Sequence, residues 1–282
     1  GYIGRQQAYP ILIDGLAKLE YRGYDSAGIA LLDDAQVEIM KSVGRLQNLE
    51  EKVGSNVPPG TVGIGHTRWA THGRPCDLNA HPHSDCTGAF VVIHNGIIEN
   101  YQLLRQRLIS QGHVFRSETD TEVLAHLLEH YFEGDLKKAV RKVLAEVTGS
   151  YGLVVMSQHD PKRLICARKD SPLVIGLGDG ENFIASDIPA LLKYTRDTII
   201  LNDGELAEVT RDAVTVEDDS GEPVEKERYY VDWDAVAAEK EGYEHFMLKE
   251  IHEQPKAIRD TLRGRLTANG LVNLAELNLA ED

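Results

Sequence analysis

AFVVIHNGIIEN, residues 89–100, is the stretch from which the fold is read. Its first five residues are apolar without interruption, the pattern of a β-strand buried on both faces. The Asn95-Gly96 pair that follows is a strong turn signal, so the strand is expected to end there. Downstream, residues 99–111, 121–131 and 136–147 carry helical periodicity, and Thr119 precedes Glu122 at capping-box spacing. Strands are then expected at 153–157, 164–168, 173–178, 182–186, 198–201, 206–210 and 213–216. The pair 173–178 and 182–186 flanks a Gly-Asp-Gly turn, and Asp187 is placed to cap a short helix.

Upstream, residues 7–19 fit one face of a helix. Strand-like runs follow at 28–32 and 37–41 around Asp33-Asp34, and 60–69 reads as a strand running into an irregular segment. Residues 71–87 have no period and are rich in Gly, Pro, His, Asn and Asp. A loop this long inside a domain is a place to look for function. Strands, then helices, then strands give an α+β layered domain rather than alternating βαβ units. Residues 1–217 are expected to form the core and 218–243 an acidic excursion or linker. Residues 244–282 are expected to hold a C-terminal helix and the start of a further linker.

The chain has 282 residues, with 30 Lys+Arg against 45 Asp+Glu, a formal net charge of −15. That balance argues against a binder of nucleic-acid backbones and against anionic membrane surfaces. No apolar run reaches the roughly 20 residues that span a bilayer, and no signal peptide is visible. The three cysteines, Cys76, Cys86 and Cys166, cannot form a disulfide framework and point to a reducing, cytoplasmic setting. The opening Gly1-Tyr2-Ile3-Gly4 lacks Met and is expected to be a processed or partial start.

Polar and glycine punctuation concentrates in EYRGYDSAG (20–28), HTRWATHG (66–73), HNGIIEN (94–100) and SETDTE (117–122), each at the end of an expected element. A sheet can gather such ends at one edge. Arg68 is suited to bidentate capture of a carboxylate, although a surface ion pair is the simpler reading of it alone. Asp120 can hold an ammonium group, although alone it reads as a helix N-cap. Together they can hold the two ends of a zwitterionic α-amino acid. Asn95 and Gly96 offer an amide and a backbone N–H for a developing oxyanion, with a hairpin turn as the plainer alternative. His72, Cys76, His81, His83 and Cys86 raise a zinc reading. It is disfavoured because no C-x₂-C pair is present, and no metal is expected. A polar loop with histidines as hydrogen-bond fixtures is the preferred reading.

EYRGYDSAG, HTRWATHG, NAHPH (79–83), HNGIIEN and SETDTE together closely resemble the glutaminase domains of the bacterial glutamine–fructose-6-phosphate aminotransferase family. SPLVIGLGDGENFIASD (171–187) and LKEIHEQPKAIRDTL (248–262) extend the likeness over nearly the whole chain. The resemblance implies an N-terminal-nucleophile hydrolase fold, a four-layer αββα sandwich with two antiparallel sheets. It implies hydrolysis of L-glutamine to L-glutamate and ammonia, with ammonia passing to a sugar isomerase domain that aminates fructose 6-phosphate. It assigns Arg68 to the α-carboxylate, Asp120 to the α-amine, and Asn95 and Gly96 to the oxyanion hole. Thr71 and His72 match the lining of the glutamine pocket, and Trp69 a residue associated with closing the ammonia path. Arg22 and His81 match positions near the nucleophile or its closing loops. The nucleophile of the family is an N-terminal Cys whose own amine is the base, and Gly1 is expected to lie a few residues after it. No organic cofactor is implied, and a homodimer is implied for the full-length enzyme. The alternatives are a catalytically inactive amino-acid-binding module, a zinc-stabilised structural domain, and a related amidotransferase of the phosphoribosyl or asparagine synthetase kind.

Overall fold

The computed structural model describes residues 1–34, 36–232, 243 and 245–262. Contacts divide the chain into two units, Gly1–Asp232 and Trp233–Asp282. In the first unit the strands are Tyr2–Ile3 (β1), Ser26–Asp33 (β2), Gln36–Val43 (β3), Val62–Arg68 (β4), His83–Ser84 (β5), Phe90–Ile98 (β6), Gly149–Ser157 (β7) and Arg163–Lys169 (β8). They continue with Val174–Leu177 (β9), Asn182–Ala185 (β10), Asp197–Ile200 (β11), Leu206–Thr210 (β12), Val214–Glu217 (β13), Pro223–Val224 (β14) and Tyr229–Tyr230 (β15). The helices are Ala8–Leu19 (α1), Leu46–Val53 (α2), Tyr101–Ser110 (α3), Glu122–Tyr131 (α4) and Leu136–Glu146 (α5).

The strands form two antiparallel sheets. One has eight strands in the order β15-β11-β9-β10-β1-β4-β2-β3, the other seven in the order β14-β13-β12-β8-β7-β6-β5. Side-chain alternation along the buried strands explains why there are four layers. In β2, Ala30 and Leu32 face the other sheet, while Ile29 and Leu31 pack with Leu12 and Leu16 of α1 and Leu49 of α2. In β6, Val91 and Ile93 face the first sheet, while Phe90 and Val92 pack with the leucines of α3 and α4. β7 and β8 repeat the division, with Val154, Met156, Leu164 and Cys166 inward and Leu153, Val155, Ile165 and Ala167 outward. Each such strand therefore needs apolar residues at every position, which is what residues 89–93 show. Burying one large side chain of this kind contributes about 1.5–3 kcal/mol. The αββα sandwich is the expected one.

Three expectations need correction. The strand does not stop at Asn95-Gly96: β6 continues to Ile98, with Asn95 opposite Gly152 and Gly96 opposite Tyr151 in β7. The glycine is still required, because Gly96 has φ +126° and a Cβ there would meet the Ser150 carbonyl oxygen at 2.2 Å. The chain bends within the sheet instead of reversing. The capping box at Thr119–Glu122 is not formed, since the side chain of the cap residue Thr121 makes no capping bond. Glu122 instead accepts from the Arg116 and Ser117 backbone N–H groups at 2.7 Å and from Ser117 Oγ at 2.6 Å. The polar stretch expected as a linker contributes β14, paired with β13, and β15, paired with β11.

In the second unit the described residues form one helix, Phe246–Leu262 (α6), interrupted in sequence by Pro255. Tyr243 stacks on His252 with ring centroids 5.3 Å apart. No helix among the described residues is long and apolar enough to cross a membrane.

Candidate active site

Strands β4 and β6 end side by side in different sheets, and the segments that leave them enclose a cavity of about 350 Å³. Eight of the nine residues singled out from sequence line it: Arg22, Arg68, Trp69, Thr71, His81, Asn95, Gly96 and Asp120. The ninth, His72, stands just behind the wall, its Nδ1 3.9 Å from Asp120 Oδ1. The rest of the wall is largely apolar, including Leu12 and Leu16 of α1, Ile93, Val154 and Leu173. Gly1 also lines the cavity, its N–H donating to the Ile184 carbonyl at 2.6 Å and its carbonyl accepting from Ile184 N at 2.8 Å.

Arg68 is the last residue of β4 and is 4% exposed. Its Nη2 donates to the carbonyls of His72 and of Gly73, the latter at 3.0 Å. Its Nη1 is buried with no hydrogen-bond partner among the described residues. Burial lowers the guanidinium below its ordinary range, opposed by the charges of Asp25 and Asp120. A buried N–H without an acceptor costs roughly 1–3 kcal/mol, so this geometry favours an anionic occupant of the cavity. Asp120 is likewise 4% exposed, and its Oδ2 accepts from Ile98 N at 2.8 Å. That bond ties the loop ahead of α4 to the end of β6. Asn79 ties it to the loop after β4, donating to Glu118 Oε2 at 3.1 Å and to the Arg74 carbonyl at 3.0 Å. One buried cation and one buried anion thus face a single cavity.

Asn95 Oδ1 lies 2.8 Å from His66 Nε2. His66 is buried, and burial holds its imidazole down to about 4, the Asn95 hydrogen bond opposing that shift. The neutral ring as placed donates from Nε2 to Asn95 Oδ1, which turns the Asn95 NH₂ away from His66. His81 stacks on His66 with centroids 4.3 Å apart, and its Nδ1 accepts from His94 N at 3.4 Å. His94 Nε2 donates to the Ser150 carbonyl at 3.1 Å, so its Nδ1, 2.9 Å from Thr121 Oγ1, accepts. His83 Nε2 lies 3.1 Å from Thr119 Oγ1. Burial pushes His81 and His83 well below the ordinary histidine range and lowers His94. Of these rings His66, His81 and His94 line the cavity, and the loop residues His81 and His83 are hydrogen-bonded through the His94 N–H and Thr119 Oγ1 respectively.

Trp69 is 63% exposed and meets Tyr24 edge-on, with centroids 5.7 Å apart. Arg22 pairs with Asp187 at 2.6 Å. Thr71 Oγ1 is 3.4 Å from His72 Nδ1. His66, His94, Asn79 and Ser171 were not singled out as site residues. Three of them sit inside the strings HTRWATHG, HNGIIEN and NAHPH, and Ser171 opens SPLVIGLGDGENFIASD. The signal was therefore present, but neutral buried histidines and an asparagine clasp leave no periodicity to detect.

A family profile described as the glutamine amidotransferase domain matches residues 66–193, the stretch from β4 past β10. A glutamine–fructose-6-phosphate aminotransferase (isomerizing) of Caldanaerobacter subterraneus subsp. tengcongensis is 54% identical over 282 residues, covering 100% of this chain and 46% of the relative. The enzyme of the same name from Symbiobacterium thermophilum is 56% identical, covering 99% of this chain and 46% of the relative. The chain thus spans about half the length of the curated relatives it matches. Among solved structures, the glutamine phosphoribosylpyrophosphate amidotransferase of B. subtilis, complexed with ADP and GMP, superimposes with a TM-score of 0.68. It is 27% identical, over 77% of this chain and 48% of that one.

Proposed function

We propose that the chain, whose residues 66–193 match the glutamine amidotransferase domain profile, hydrolyses L-glutamine and supplies the ammonia to a sugar isomerase domain. In this reading Arg68 grips the α-carboxylate and Asp120 the α-ammonium group, with Thr71 and His72 beside them. The side-chain amide then lies toward Asn95 and Gly96. A cysteine thiolate ahead of Gly1 attacks the amide carbon, and the displaced oxygen becomes an oxyanion. Asn95 Nδ2–H and the Gly96 N–H donate to it. As the intermediate collapses to the thioester the C–N bond breaks, and the departing NH₂ group takes the proton of the N-terminal ammonium group, formed when that amine deprotonated the thiol, and leaves as ammonia. Water then cleaves the thioester to give L-glutamate and restores the thiol. Arg22 and His81 position the segments around the nucleophile, and Trp69 stands on the path out.

The observation that carries this reading is the opposed pair of buried charges, Arg68 with Nη1 unpaired and Asp120, on one cavity whose remaining wall is largely apolar. That arrangement discriminates an α-amino acid from a simple anion. The sandwich supports residues 1–232 as the glutaminase core, and α6 is proposed to lead toward the isomerase domain that aminates fructose 6-phosphate. The relatives' names support that acceptor. A homodimer and a reducing, cytoplasmic setting belong to the same proposal, the second resting on three unpaired cysteines. No organic cofactor is required by this chemistry.

Calorimetric titration with L-glutamate tests the reading. The protein binds it, and Arg68→Ala weakens binding by about 10- to 150-fold, the loss of a charge-assisted hydrogen bond worth about 1.5–3 kcal/mol. Equal binding by both proteins overturns it.

A further inference from the structure

Cys86, His113, His126 and Glu129, none of which lines the cavity, bring four donor atoms within 4.8 Å of one another. Cys86 Sγ is 3.6 Å from His126 Nδ1 and 3.9 Å from His113 Nδ1. Glu129 Oε2 is 2.9 Å from His113 Nδ1 and 3.5 Å from His126 Nδ1. An ion 2.0–2.3 Å from each of four donors at tetrahedral angles would set the donors about 3.3–3.6 Å apart. The four separations given, 2.9–3.9 Å, lie on either side of those edges. The geometry points to a closed tetrahedral site for a structural divalent metal ion, zinc by its donor set, held by Cys86, His113, His126 and Glu129.

The surroundings are those of a metal site as well. His126 is fully buried, and its Nε2, on the opposite ring edge from the cluster, lies 3.5 Å from Glu122 Oε1. That Nε2 makes no hydrogen bond among the described residues, and Glu122 is the acceptor within reach for its proton when Nδ1 holds a metal. The Val114 N–H donates to Cys86 Sγ at 3.3 Å, as a backbone amide supports a thiolate. One thiolate, two imidazoles and one carboxylate form a mixed set that suits zinc better than magnesium or calcium, which prefer oxygen alone. Four protein ligands leave no open position, so the role is structural. The ion would tie the turn after β5 and the end of the α3 segment to α4. That helix begins two residues after Asp120, so the site braces the loop that presents Asp120. The reading of the other loop residues as a zinc cluster does not survive: of His72, Cys76, His81, His83 and Cys86, only Cys86 joins these ligands. The ligands come instead from three separated segments, with His126 and Glu129 three apart on one helix.

The test is metal analysis of the purified intact protein after dialysis against metal-free buffer, followed by cobalt(II) titration of the stripped protein. The expected result is one zinc per chain. The cobalt protein should show intense tetrahedral d–d bands and a thiolate-to-metal charge-transfer band. Cys86→Ser should abolish the charge-transfer band, and His113→Gln, at the rim of the cluster, should weaken cobalt binding by at least ~10-fold. Stripping should lower the Tm, and zinc should restore it. A protein that leaves dialysis without zinc and gives only octahedral cobalt spectra overturns the proposal. So does a charge-transfer band that survives in Cys86→Ser. The wild-type zinc content and cobalt spectrum decide the matter even if a variant fails to fold.

Discussion

Asn95 allows stability and chemistry to be separated by two substitutions at one position. Its Oδ1 is committed to His66 Nε2 at 2.8 Å, while its Nδ2 carries no hydrogen bond among the described residues. Asn95→Ala removes the acceptor and leaves a buried imidazole N–H unpaired, beside an Nδ1 that already lacks a partner among the described residues. One such orphan costs about 1–3 kcal/mol. For a domain of this size that is a Tm fall of roughly 2–10 °C. Asn95→Asp keeps an acceptor for His66 in nearly the same shape but replaces the free NH₂ donor with oxygen. Its Tm should fall less than that of Asn95→Ala. Both variants lose one oxyanion donor, so kcat for glutamine hydrolysis should drop by about 10²–10³ in each, or roughly 2.7–4 kcal/mol. KM should change little, because Arg68 and Asp120 hold the other end of the substrate. The assay is ammonia release by the intact protein, coupled to glutamate dehydrogenase, alongside thermal melts. An Asn95→Asp enzyme that keeps kcat within about threefold of wild type would refute the role assigned to the amide.

Replacing Arg68 by Lys keeps the charge but loses the planar fork, and KM for glutamine should rise by at least ~10-fold with kcat less affected. Asp120→Asn retains an acceptor for Ile98 N and loses the countercharge, so steady-state kinetics should again show the effect in KM, with a melt close to wild type. Gly96→Ala should destabilise the fold, since φ +126° and a 2.2 Å approach to Ser150 O leave no room for a Cβ; strain of about 1–3 kcal/mol is the minimum, and an unchanged Tm would contradict it. Stability should also be acid-sensitive. His66 is held down to about 4 by burial, with His81, His83 and His94 lowered in the same direction, so the unfolded chain binds protons that the folded one refuses. Stability is then full above about pH 6.5 and is lost as pH falls toward 4, by ~3 kcal/mol from His66 alone, and melts between pH 7 and pH 5 that do not shift would exclude this.

The layers were legible because apolar runs such as residues 89–93 and 164–167 have no other stable placement than between two coverings. The site was legible because its polar residues cluster where those runs end. What escaped reading was set by long-range contact. The Asn95-Gly96 signal was correct about the positive φ and misleading about the turn, since β7 continues to pair across it. Residues 223–230 are polar and short-stranded, yet each sheet takes an edge strand from them. The Cys86 cluster draws on residues 27, 40 and 43 positions away from Cys86, spacings that no local pattern encodes.

A crystal structure of the protein with L-glutamate tests the central claim most directly. The account predicts the product's α-carboxylate within about 3.2 Å of the Arg68 guanidinium and its α-ammonium at the same range from Asp120. Its side-chain carboxylate should point toward Asn95 and Gly96. Glutamate bound in the opposite sense, or outside this cavity, would contradict the account.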